Sequence, residues 1–212
     1  MHSYKQHVIE EGKFGNILKA ATLATMVGSS APGMPTHDNK TDSTVQQAAN
    51  QTQNTKLTSD AIFKQLVKHE GYRKQIYKDT KGVATIGIGF NLNDAGNRKI
   101  LAKYGISNHE LHKGLSDLEI KQLYNDTVEI AIKNAKRFAP NFDSLPSNAQ
   151  LALIDLSFNI GSTKLAQFKA LQAAIANKDF NAAAEALKHS NWYKQVGNRG
   201  PDLVNQIKNA SS

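Results

Sequence analysis

Cysteine is absent from the 212 residues. The fold therefore has neither disulfides nor thiolate metal ligands, and the chain would tolerate a reducing compartment. No run reaches the roughly 18 to 20 apolar residues that a membrane-spanning helix needs. There is no internal repeat, and no basic helix carries interleaved aromatics of the kind that binds nucleic acid. A zinc motif is also missing: His109-Glu110-Leu111-His112 is one residue short of the H-E-x-x-H spacing and suits a polar helix or loop face. No metal and no cofactor is expected.

Acidic side chains are in the minority, 18 against 26 Lys and Arg, which leaves a formal net charge of +8. Such a balance favours an anionic partner: nucleic acid, a membrane surface or a bacterial cell wall. It is equally compatible with a basic protein that is simply soluble, and charge alone names no substrate.

The chain divides by composition. Residues 1–34 form a leader or signal-like segment whose most apolar part is Ile17 to Met34. Lys19 interrupts that part, Pro32 follows the small residues Ser29 to Ala31, and Glu10 and Glu11 sit where a signal peptide should be positive. Residues 35–58 contain no aromatic and almost no large apolar side chain, so they read as a flexible polar linker. The folded unit is expected over residues 59–212.

Within it, Ser59 or Asp60 can cap a helix whose stripe carries Ile62, Phe63, Leu66 and Val67, with Gly71 at its C-terminal end. Residues 72–90 read as a hairpin or small sheet turning at Asp79-Thr80-Lys81-Gly82. A helix near 95–104 follows. Ser116 to Glu119 and Ser147 to Gln150 both match the capping-box spacing and open two more helices. The first, near 117–137, is long and amphipathic. The second, LALIDLSFNIG, is apolar almost all round, so it belongs at a buried centre and ends at Gly161. Helices near 163–176 and 179–189 follow, with Pro201 in the first turn of a last short one. The expected fold class is α+β, mainly α. A small sheet-containing lobe is joined by a long helix to a larger helical lobe, with a cleft between them.

Two carboxylates flank the first turn. Glu70 leaves the last turn of a helix on the face shared by Phe63 and Val67. Apolar neighbours and the negative end of the helix dipole both favour its neutral, proton-donating form. Asp79, among Lys78, Thr80 and Lys81, should stay ionised. Read as one strand, residues 85–90 send Ile86, Ile88 and Phe90 into the core. Thr85, Gly87 and Gly89 then form an open floor against which something bulky can lie. Each feature has a plainer explanation alone: a helix-end Glu is usually a solvated charge, a turn Asp serves the turn, and alternating glycines relieve crowding. Their combination points to acid–base chemistry.

The ordered blocks Glu70-Gly71, Asp79 and Thr85-Ile86-Gly87-Ile88-Gly89 resemble the Glu/Asp/Thr signature of phage-type lysozymes, the family of T-even phage lysozyme. The resemblance continues through LALIDLSFNIG to SNWYKQVGNRG and covers about residues 60–209. It implies a lysozyme-like fold and a peptidoglycan muramidase that hydrolyses the β-1,4 bond from N-acetylmuramic acid to N-acetylglucosamine. Glu70 would be the general acid, Asp79 the second carboxylate and Thr85 the hydroxyl that helps to place water. The resemblance also makes Arg199 the arginine that approaches Glu70, and puts Phe158 and Asn159 where the central helix faces the cleft. Trp192 and Tyr193 are assigned to the core. One departure stands out. Phe90 occupies a position where many members carry His, and Thr127, beside Asp126, occupies that of its usual carboxylate partner. Packing would then replace an ion pair.

The implied partner is bacterial peptidoglycan, with no nucleic acid, and the protein would be a monomer. The implied location is the host cytoplasm before lysis. MHSYKQHVIEE also has a faint likeness to the cleaved leaders of T-even phage internal head proteins, so residues 1–34 could instead serve virion packaging, export or a transient membrane association. A non-catalytic peptidoglycan-binding virion component is the alternative function.

Overall fold

The computed structural model describes residues 56–211, and the expectations for the leader and for most of the linker lie outside them. The last two residues of the linker as read from composition belong to the fold. Leu57 is buried in the core, and the Thr58 hydroxyl accepts from the Ala61 amide, capping the first helix in place of Ser59 or Asp60. Such a cap stabilises by about 1 kcal/mol.

Helix α1 (Ser59–Glu70) buries Ile62 and Leu66 completely. Each such side chain contributes roughly 1.5–3 kcal/mol on leaving water. Gly71 follows at φ 77 and lets the chain turn sharply into the sheet. Strands β1 (Arg73–Lys78), β2 (Ala84–Gly87) and β3 (Phe90–Asn91) form an antiparallel sheet in that order. Tyr77 stands opposite Thr85, and Ile86 opposite Phe90.

The last pairing corrects the expected single strand over residues 85–90. Gly87 and Gly89 both have positive φ, 65 and 62, so the chain reverses between them. Ile86, Ile88 and Phe90 are buried all the same. Alternation located the core face correctly but missed the turn, because only glycine adopts these angles without strain.

Helices α2 (Ala95–Lys103) and α3 (Asn108–Lys113) complete the small lobe. The HELH segment lies on α3, where the Glu110 carboxylate closes a capping box with Ser107. The long helix α4 (Asp117–Phe138) opens with the expected Ser116–Glu119 capping box and runs into the helical lobe. It packs along α5 (Ser147–Leu165), which breaks at Gly161 (φ 72). The second expected capping box is not formed. Pro146 holds the cap position of α5, and the Gln150 amide donates to the Phe142 carbonyl. Helices α6 (Lys169–Ala176), α7 (Phe180–Lys188) and α8 (Arg199–Lys208) close the lobe. Helix α1 packs on α5 and is tied to α8 by paired amides of Gln65 and Gln206. Among the described residues the first helix is thus tied to the last, and Glu70 ends it just before the sheet begins.

Phe90 is 2% exposed, and Asp126 pairs with Lys103 at 2.6 Å. The Thr127 hydroxyl donates to carbonyls of its own helix. Phe90 is thus held by packing, and Thr127 by the backbone of its own helix. No helix among the described residues is long and apolar enough to cross a membrane.

Candidate active site

Glu70 is held from two sides. Its Oε1 accepts from Arg199 Nη2 at 2.7 Å, and its side chain is 17% exposed. Gly89 lies against the other oxygen: a Cβ there would stand 2.6 Å from Glu70 Oε2. The carboxyl thus meets a charge that the helix stripe did not foretell. Phe63 stacks edge-on with Tyr124, and a guanidinium delivered by α8 reaches Glu70.

Asp79 sits at the end of β1. Its Oδ1 accepts from the amides of Lys81 and Val83, both at 2.8 Å, and Gly82 (φ 75) completes the turn. Both turn bonds fall on one oxygen, so Oδ2 is left for other work. Thr85 follows on β2, only 3% exposed, with its hydroxyl donating to the Val83 carbonyl at 3.0 Å. A hydroxyl that donates to the backbone keeps lone pairs to accept from a water.

Tyr77 lies on β1 between the two acids, and nothing in the sequence singled it out. Its hydroxyl donates to the Glu70 carbonyl at 3.3 Å. Burial pushes its phenol above the ordinary value of 10.0, and the charges of Glu70 and Asp79 push the same way against Arg73. One ring therefore feels both acids.

The remaining expected residues divide. Asn159 is exposed on α5, and its Oδ1 accepts from Trp192 Nε1 at 2.8 Å, so the buried tryptophan both packs and orients it. Phe158 is half-buried against the core. Gly87 is buried, and a Cβ there would face Ile120 of α4 at 3.5 Å. The open glycine floor is accordingly corrected: Gly87 lets the sheet close on the long helix, and Gly89 makes room for Glu70.

Behind Glu70 lies a buried ionic cluster that was not anticipated. Arg199 is 7% exposed, and its Nε donates to Asp155 Oδ1 at 2.8 Å. Asp155 is fully buried; its Oδ2 accepts from Gln65 at 2.9 Å and meets His69 Nδ1 at 2.7 Å. Burial pulls the Arg199 guanidinium down, but Asp155 and Glu70 outweigh it and raise it above its ordinary value, so it is a permanent cation. One signal was available. Asp155 is the sole charge in LALIDLSFNIG, and a carboxylate on an all-apolar helix must find partners.

A three-stranded sheet beside a larger helical lobe, with an acid at their junction and a second acid on the first turn, defines the lysozyme-like class. The chain belongs to the phage lysozyme family, whose model matches residues 67–209. It is 29% identical over 154 residues to "Probable T4-type lysozyme 2" of Dictyostelium discoideum, covering 67% of this chain and 91% of that protein. It is 26% identical over 154 residues to "Pre-baseplate central spike protein Gp5" of Enterobacteria phage T4, covering 66% of this chain and 26% of that protein. With "Peptidoglycan hydrolase gp36" of Pseudomonas phage phiKMV it shares 22% over 144 residues, 68% of this chain and 15% of that protein.

Proposed function

We propose that the protein is a peptidoglycan muramidase, cleaving the β-1,4 bond from N-acetylmuramic acid to N-acetylglucosamine with inversion. Breaking an acetal requires a proton on the leaving oxygen and stabilisation of an oxocarbenium-like transition state. Glu70 donates that proton. Asp79, with one oxygen outside its turn bonds, takes a proton from the attacking water, which Thr85 helps to place. An inverting route needs the carboxyl groups roughly 6.5–9.5 Å apart, with water between them. Phe158 and Asn159 contact the sugar chain from α5, and Arg199 holds Glu70 in place. The observation that carries this reading is the fixed Glu70 carboxyl, gripped by Arg199 and fitted over Gly89, on the chain segment that leads into the Asp79 turn.

Family membership and a relative named as a peptidoglycan hydrolase support the substrate class. The enzyme acts as a monomer on the host wall, from the cytoplasm before lysis or carried in the virion. The similarity to a baseplate spike protein supports the virion route.

Digestion of purified peptidoglycan tests the proposal. The expected products are reducing muropeptides ending in N-acetylmuramic acid, formed first as the α-anomer. A first-formed β-anomer would overturn inversion, and 1,6-anhydro products would indicate a transglycosylase. Binding without any soluble product would leave the non-catalytic wall-binding alternative.

A further inference from the structure

A line of hydrogen bonds runs from the surface to Glu70, and only its last member takes part in the chemistry proposed above. His69 Nδ1 lies 2.7 Å from Asp155 Oδ2, and its Nε2 lies 3.1 Å from Asp202 Oδ2. Asp155 passes to Arg199 Nε at 2.8 Å, and Arg199 Nη2 passes to Glu70 at 2.7 Å. An imidazole between two carboxylates can donate to both only when both nitrogens carry protons. The neutral ring turns one of the two contacts into acceptor facing acceptor.

We propose that His69 is a positioning residue for the reaction: through Asp155 it sets how tightly Arg199 grips the Glu70 carboxyl, and its protonation switches that grip. The inference rests on Glu70 being the proton donor. The charged groups around the ring are Asp155 from α5, Asp202 and Arg199 from α8, and Lys68, Glu70 and more distant Lys64 from α1 itself. Lys68 pairs with Asp202 at 2.5 Å, so Asp202 keeps a cation when the ring is neutral. Asp155 does not. Its remaining cation is Arg199, and the two draw together.

The direction of the effect follows. With His69 charged, Asp155 is shared between two cations, and Arg199 presents more of its charge to Glu70. With His69 neutral, Asp155 claims more of the guanidinium, and Arg199 grips the Glu70 carboxyl less tightly. The grip on the acid thus loosens as pH rises through the titration of His69. His69 is suited to this switch. Burial opposes its charge, but the hydrogen bond and charge of Asp155, together with Asp202, raise it above the ordinary 6.5 against the push of Arg199. Its side chain is only 6% exposed, yet the ring lines an open surface pocket of about 550 Å³ between α1 and α8, a route for proton exchange.

The full chain, His69→Gln (never charged) and His69→Lys (always charged) test this through kcat and KM on soluble peptidoglycan fragments across pH. The alkaline limb of kcat is expected at lower pH in His69→Lys than in His69→Gln. At pH 8 the two should differ by about tenfold in kcat with KM within about twofold. The unsubstituted protein should follow the Lys variant at low pH and the Gln variant at high pH. Coincident limbs in the two variants would overturn the proposal. If either variant fails to fold, NMR of the unsubstituted protein decides: the Glu70 carboxyl carbon should show an inflection where the His69 ring nitrogens titrate, and its absence would refute the switch. An inflection in a protein that cuts no peptidoglycan would keep the coupling and discard the muramidase reading instead.

Discussion

The Glu70 carboxyl meets the Arg199 guanidinium at 2.7 Å although 129 residues separate them along the chain. Helix α1 supplies the first and the start of α8 the second, so among the described residues the placement of the first helix near the last fixes the acid. Because Arg199 also serves fully buried Asp155, it is not an ordinary surface cation.

Replacing Arg199 with Ala would strip a buried carboxylate of its strongest partner. The expected loss is about 3 kcal/mol, the lower end for breaking a buried pair, because His69 still faces Asp155. Urea titration measures it, and a loss below about 1 kcal/mol would show that His69 and Gln65 alone suffice.

Glu70→Gln keeps the shape and an acceptor for Arg199 but has no acidic proton. Turnover on peptidoglycan should fall by about 10²- to 10⁴-fold while the unfolding midpoint stays close to that of the parent. Near-normal turnover in this variant would remove Glu70 from the acid role.

Stability should depend on pH in two windows. His69 is raised on folding, so its contribution is complete below its unfolded value near 6.5 and is lost as pH climbs through the higher folded one. Asp202 is lowered, chiefly by its bond to Lys68 and then by His69, so its contribution is present above 3.8 and lost as pH falls through the folded value. Thermal unfolding should therefore occur at its highest temperature between these windows, and His69→Gln should flatten the upper one. An unchanged upper slope in that variant would contradict the assignment.

Gly89 and Gly105 separate backbone strain from site geometry. Both have positive φ, 62 and 68, but a Cβ at Gly89 collides with Glu70 while one at Gly105 meets nothing within 4 Å. Each Ala variant should lose about 1–2 kcal/mol from the left-handed backbone. Only Gly89→Ala should also lose activity, by about 10²-fold, through displacement of the acid. Equal activities in the two variants would show that Glu70 tolerates the intrusion.

With a net charge of +8, the enzyme should concentrate on an anionic wall, and its activity on whole walls should decline as salt is raised from about 0.05 to 0.5 M. Rates on short neutral fragments should stay flat. Parallel declines on both substrates would mean that salt acts on the enzyme and not on wall attraction.

Local rules carried the sequence reading a long way. Helix periodicity placed α1, α4 and α5, the Ser116–Glu119 spacing gave a true cap, and the Asp79 turn formed where Asp-Thr-Lys-Gly stood. The failures were also local. Ser147–Gln150 matched a cap spacing, yet Pro146 took the cap position and Gln150 found the Phe142 carbonyl. Alternation over residues 85–90 concealed a reversal at two glycines, since hydrophobic pattern reports faces and not dihedral angles.

The sequence by itself determined the elements, the burial of their apolar faces and the presence of two acids on either side of a turn, because those follow from spacing along one short stretch of chain. Tertiary structure decided the buried network behind the acid. Gln65, His69, Asp155, Arg199 and Asp202 come from three helices, and no periodicity relates them. A buried charge requires a partner, but only the packing of α1 on α5 near α8 chooses which one. That choice gave Glu70 a guanidinium where the helix stripe alone suggested an apolar pocket.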